Sequence, residues 1–275
     1  MGIVWCDGKF IGENDFNVSP TDRGLCHGLS LFETLLAING KPRFLREHLG
    51  RLRCGLERLG VNSVDLDEDG LGKAMISLLE GNGLQNGMSR VRFTLSLGKG
   101  PLDRIDNASS WAWMTVSPVD SSIRSLRMTL APWKRDKESV LRGIKTGNYT
   151  EHLIALDMAR REGFDEMLFY NTDDELCEAS MANVFLIRKG GLETPSLDSA
   201  CLAGVTRALL IRLAAQHGIP CRECVLRKTD VAKADAMFLT SSVKGPVRVS
   251  ALQGKTFSEH PLFDVVRSLW VADMS

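Results

Sequence analysis

The chain lacks a charge of one sign to spare: 34 Lys and Arg balance 34 Asp and Glu, and no block of like charge interrupts the balance. Such a chain carries no long-range field for a polyanion, so neither a nucleic-acid groove nor a membrane-surface helix is expected, and an anionic ligand must be held by a local site. Long apolar runs are missing too, none approaching the ~20 residues that span a bilayer. The opening MGIVWCDGKF shows no basic stretch followed by an apolar one, so a cytoplasmic protein is expected. Cysteine is sparse: seven residues, an odd count with a single C-x-x-C at Cys221 and Cys224. That suits reduced thiols better than a disulfide framework. His217 alone does not complete a structural zinc site with that pair, so no metal is expected and a zinc-binding adaptor is set aside. No GxGxxG follows a strand and no repeat is visible, which argues against a dinucleotide-binding fold or a solenoid.

What is present is the composition of a globular protein, 44% hydrophobic and 25% charged over 275 residues, enough for two cores. Two short strands surround an Asp7-Gly8 hairpin turn. Leu45, Leu49, Leu52, Leu56 and Leu59 form one stripe on a helix that ends near Gly60 and packs on a sheet. Arg90 to Leu97 alternates polar and apolar residues, and Trp111 to Val116 continues as a second β-like run. From Val116 to Ser125 the sequence turns to Ser, Pro and Asp, a connector, which places a boundary between domains of residues 1–118 and 119–275. The second half predicts a helix over Tyr149–Arg161, strands at Met167–Tyr170 and Val184–Ile187, a helix over Val205–His217 and a strand at Ala236–Leu239.

Three segments have the residue types that chemistry uses. Gly143-Ile-Lys145-Thr-Gly147 sets a lysine between two glycines just ahead of a helix, where a desolvated amine is a carbonyl nucleophile. Glu178 precedes a buried strand, a place where a carboxylate needs a partner. Gly204-Val205-Thr206-Arg207 opens a helix with a glycine, so backbone N–H groups and a hydroxyl can approach an anion at the positive end of the dipole. Thr240 offers a further hydroxyl, and Arg51 on the leucine-striped helix a charge-assisted bond. Each signal alone also fits an ordinary surface lysine, a hairpin-end glutamate or a plain helix entry.

Their order, together with Glu178, Asn183, Phe185, Thr194, Gly204 and Arg207, resembles the class IV aminotransferases, the fold-type IV enzymes of pyridoxal 5′-phosphate (PLP). Asp22-Arg23-Gly24, Leu31-Phe32-Glu33-Thr34 and His48-Leu-Gly-Arg51-Leu52 are similar to the family's N-terminal landmarks. The resemblance implies a mixed α/β and α+β fold: a small α/β N-terminal domain and a larger C-terminal domain with a barrel-like β core. It implies homodimers, with Lys145 as the Schiff-base lysine and Glu178 as the partner of the pyridine nitrogen. Arg51, Val205, Thr206 and Thr240 would be phosphate ligands, Tyr149 would lie near the PLP 3′-oxygen, and Phe32 and Arg92 would meet the substrate. Three activities share this scaffold, and fold cannot separate them. Leu97 before Gly98 stands where the D-amino-acid enzymes usually have arginine. Transfer of an amino group from a branched-chain-like L-amino acid to a 2-oxo acid is the expectation, with 4-amino-4-deoxychorismate lyase as the alternative.

Overall fold

A computed structural model describes residues 2–61, 64–106, 109–120 and 125–274. The chain packs as two compact units, Met1–Ser121 with Ile144–Asn148, and Ser122–Gly143 with Tyr149–Ser275. Of the connector read from composition, residues 121–124 lie outside the described residues.

The first unit runs β1 (Ile3–Cys6), β2 (Lys9–Gly12), α1 (Arg23–His27), β3 (Ser30–Ile38), β4 (Lys41–Pro42), α2 (Leu45–Arg58), α3 (Glu68–Gly81), β5 (Met88–Ser96) and β6 (Trp111–Pro118). Its six strands form an antiparallel sheet in the order β2-β1-β6-β5-β3-β4. Asp7 and Gly8 both take positive φ, 44° and 84°, the handedness that a two-residue hairpin turn requires. The leucine stripe is real: Leu49, Leu52 and Leu56 of α2 are buried against Leu31 and Leu35 of β3 and Val91 and Phe93 of β5. Gly60, with φ 76°, follows the helix end. β3 and α3 were not anticipated. β3 has too few polar residues to alternate, and α3 starts on a cap, Asp67 accepting from the Gly70 N–H at 3.1 Å, that is invisible without its helix.

The second unit runs β7 (Ser125–Leu130), α4 (Thr150–Arg161), β8 (Glu166–Tyr170), β9 (Leu176–Ala179), β10 (Asn183–Arg188), β11 (Gly191–Pro195), α5 (Val205–Gln216), β12 (Cys221–Cys224), α6 (Lys228–Ala232), β13 (Ala236–Ser241), β14 (Gly245–Leu252), β15 (Lys255–Thr256) and α7 (Pro261–Met274). The sheet order is β12-β11-β10-β13-β14-β7-β8-β9, with β15 on β14. β9 closes one end of this order yet lies against β10 near the other, which makes the β core barrel-like. Val184, Leu186, Met237, Leu239 and Val249 fill one face. On the other, Phe185 stacks on Phe238 at 5.0 Å and Phe263 of α7 covers Phe238. Cys221 and Cys224 sit on edge strand β12 as free thiols, and burial pushes Cys221 up to about 11. Among the described residues no group of three or more His, Cys, Asp or Glu could hold a metal ion, and no helix is long and apolar enough to cross a membrane.

Candidate active site

In the first unit, the segment carrying Lys145 lies along the start of β3. The Phe32 N–H donates to the Lys145 carbonyl at 3.0 Å, the Gly147 N–H to Ser30 at 2.8 Å, and Leu31 bridges Thr146. Gly147 leaves room there for the Ser30 hydroxyl, which would have to rotate away from a Cβ 2.2 Å distant. Lys145 Nζ consequently rests 4.2 Å from the centroid of the buried Phe32 ring. Arg92, which the register sets opposite Thr34 and so diagonal to Phe32, brings its guanidinium to 3.8 Å from the same ring. Both contacts have cation–π geometry. Three of the residues singled out in the sequence are thereby gathered.

Arg51 meets Glu33, which points from β3 toward α2. Arg51 Nε donates to Glu33 Oε1 at 2.8 Å and Nη2 to Oε2, while His48 Nδ1–H donates to Oε2 at 2.6 Å. Burial works to raise the Glu33 carboxyl, yet the Arg51 guanidinium and the His48 hydrogen bond hold it down at about 2. Burial also lowers His48, with Arg51 and Lys145 acting in the same direction, against the pull of Glu33. The cluster is therefore a neutral imidazole beside a bidentate, charged Arg–Glu pair.

In the second unit Asn183 is the common neighbour of Glu178, Leu202 and Gly204, and it stands opposite Thr240. Glu178 Oε2 accepts the Leu202 N–H at 2.9 Å and Asn183 Nδ2 at 3.5 Å, and Asn183 Nδ2 also donates to the Leu202 carbonyl at 2.8 Å. Gly204 must be glycine, because a Cβ would fall 1.9 Å from Asn183 Oδ1. Helix α5 starts at the next residue without a side-chain cap. In the β10–β13 register Thr240 stands opposite Asn183, and its buried hydroxyl has no hydrogen-bond partner among the described residues. Uncapped helix N–H groups and an unsatisfied hydroxyl are features of an anion site. Tyr149, the residue before α4, stacks its ring on His152 at 4.3 Å and donates its hydroxyl to the Ser180 carbonyl at 3.4 Å.

The family model of amino-transferase class IV matches residues 30–252. The chain belongs to this family. It is 28% identical to the branched-chain-amino-acid aminotransferase of Salmonella typhimurium, over 91% of this chain and 85% of the relative. It is also 28% identical to the aminodeoxychorismate lyase of Bacillus subtilis, over 88% and 83%. The solved structure of the Thermoproteus uzoniensis branched-chain aminotransferase shares the fold, with TM-score 0.90 at 24% identity over 99% of this chain and 95% of that one. This class IV aminotransferase is accordingly an enzyme of the group that includes both activities.

Sequence reasoning did not single out Glu33, Arg135 or His152 as site residues. Glu33 had a signal, a carboxylate at an inward position among Leu31, Leu35 and Ala37 of a buried strand. His152 lies in the first turn of α4, three residues beyond Tyr149 at its N-cap, the spacing that brings two side chains to one face. Arg135 sits in a loop among other charges and had none.

Proposed function

We propose that the protein is a PLP-dependent aminotransferase that passes the amino group of a branched-chain-like L-amino acid to a 2-oxo acid. The cofactor part of this reading is carried by the cradle of the second unit, where the Thr240 hydroxyl, without a partner among the described residues, the start of α5 and the oriented Glu178 carboxylate share Asn183; the branched-chain relative supports the transaminase part. These residues fit the cofactor. The amides of Val205 and Thr206, the Thr240 hydroxyl and Arg51 would hold its phosphate, and Glu178 would keep a proton on the ring nitrogen. Tyr149 would donate to the ring oxygen, and Lys145 Nζ would bond the carbonyl carbon. When bound, PLP supplies an electron sink at the substrate α carbon. Arg92, pinned on Phe32, is a charge-assisted donor for a substrate carboxylate.

A second reading, 4-amino-4-deoxychorismate lysis, is favoured by the Bacillus relative and by Arg90 and Arg92, both exposed on one face of β5, which suit a substrate with two carboxylates. One experiment separates them. The purified protein with PLP is incubated with leucine, valine or isoleucine plus 2-oxoglutarate, and separately with aminodeoxychorismate. Glutamate is the expected product; pyruvate with 4-aminobenzoate from the second mixture alone overturns the transaminase reading.

A further inference from the structure

We infer that Arg135, acting through His152, is a positioning residue for the two cofactor-facing side chains Glu178 and Tyr149; the inference rests on the PLP reading above. The backbone of Arg135 is tied to the end of β8, its N–H donating to the Tyr170 carbonyl at 2.9 Å and its carbonyl accepting from Thr172 at 3.0 Å. The side chain is only 15% exposed and passes 5.6 Å from the Phe169 ring centroid. Its guanidinium then meets three groups: His152 Nε2 at 3.1 Å, Glu178 Oε1 at 3.5 Å and Glu151 Oε2 at 3.4 Å.

The hydrogen-bond partners assign the state of His152. Ser180 O, 2.7 Å from Nδ1, can only accept, so Nδ1 carries the hydrogen. Arginine can only donate, so Nε2 accepts. The imidazole is the neutral Nδ1–H tautomer, and a second proton on Nε2 would point at a cation. Tyr149 stacks on this ring with 14° between the planes and shares the Ser180 carbonyl with it. Ser180 is fixed from behind, its N–H at 3.2 Å and its hydroxyl both donating to Glu166, whose carboxyl burial pushes up. One guanidinium therefore sets the rotamer of Glu178 directly and the plane of Tyr149 through His152. An arginine that served packing alone would be satisfied by Glu151 and the Phe169 face.

Arg135→Gln and His152→Phe test this, the second keeping a ring against Tyr149 while deleting both polar contacts. In Arg135→Gln, kcat should fall by about tenfold, the loss expected for one hydrogen bond to a charged group, with KM little changed. The pH at which the visible band of bound PLP titrates should move. Imidazole 15N spectra of the apo protein, assigned by the signal that His152→Phe deletes, should show a protonated Nδ1 and an unprotonated, hydrogen-bonded Nε2 in wild type, and the loss of that Nε2 signal in Arg135→Gln. Arg135→Lys should restore part of kcat. The inference is overturned if wild type is loaded and Glu178→Gln abolishes turnover, yet both variants keep wild-type kcat per loaded site and the same band midpoint. Should Arg135→Gln not fold, His152→Phe decides by the same readouts. A wild-type protein that carries no pyridoxyl group on Lys145 after borohydride reduction overturns the cofactor reading, and this one with it.

Discussion

Glu33→Gln keeps the outline of a buried side chain and removes the one negative charge from the cluster with His48 and Arg51. Glu33 is 1% exposed, so solvent screens the pair little. Its carboxyl is held at about 2 against an ordinary 4.5, and a difference of that size corresponds to about 3 kcal/mol in favour of the charged, folded form. Removing one partner of a buried ion pair costs a similar amount, about 3–5 kcal/mol, because the other charge stays behind. The sign follows from the depressed value: the stabilisation is complete above 4.5 and is lost as pH falls toward about 2. The difference between wild type and Glu33→Gln should therefore be about 3 kcal/mol near pH 7 and shrink below about pH 4. Urea unfolding followed by fluorescence checks it, since Trp5, Trp111 and Trp113 all report on the first unit. A difference below about 1 kcal/mol at neutral pH, or one that does not shrink in acid, would refute the assignment of a charged, load-sharing Glu33.

Borohydride reduction of the PLP-loaded protein should leave the pyridoxyl group on Lys145 in a peptide map, and its appearance on another lysine would remove Lys145 from the role. Glu178→Gln should bind PLP and lose most turnover, because an amide cannot hold the ring nitrogen protonated; turnover within a factor of about two of wild type would show that another group, or none, faces that nitrogen. Arg51→Ala and Thr240→Val should each weaken PLP binding, Arg51→Ala by about ten- to a hundredfold, and apo-protein titration that finds unchanged affinity would take the residue out of the phosphate site. Gly204→Ala sets a Cβ 1.9 Å from Asn183 Oδ1 and should cost about 1–3 kcal/mol in thermal denaturation; an unchanged melting temperature would contradict the close approach.

The sequence by itself determined what depends on neighbours within a few residues. The Leu49-Leu52-Leu56 stripe and the Asp7-Gly8 turn are legible because each answers a local requirement of period or φ, and the glycine before α5 is legible as a helix entry although the close approach that it serves, to Asn183, is not local. The helix at Thr150–Arg161 and the strand at Asn183–Arg188 were legible for the same reason. Resemblance added the order of Lys145, Glu178 and Gly204. Tertiary structure alone decided which side chains meet across long separations. Ile144–Asn148 packs with the first unit although it follows that unit's last strand, because its backbone pairs with β3. Glu33 takes Arg51 because the pleat turns it from β3 toward α2, and Arg135 reaches Glu178 because its backbone is tied to β8. Such pairings depend on strand register and loop path, which no spacing along the chain encodes, since burial and charge pairing act between whatever residues the fold brings within a few ångströms.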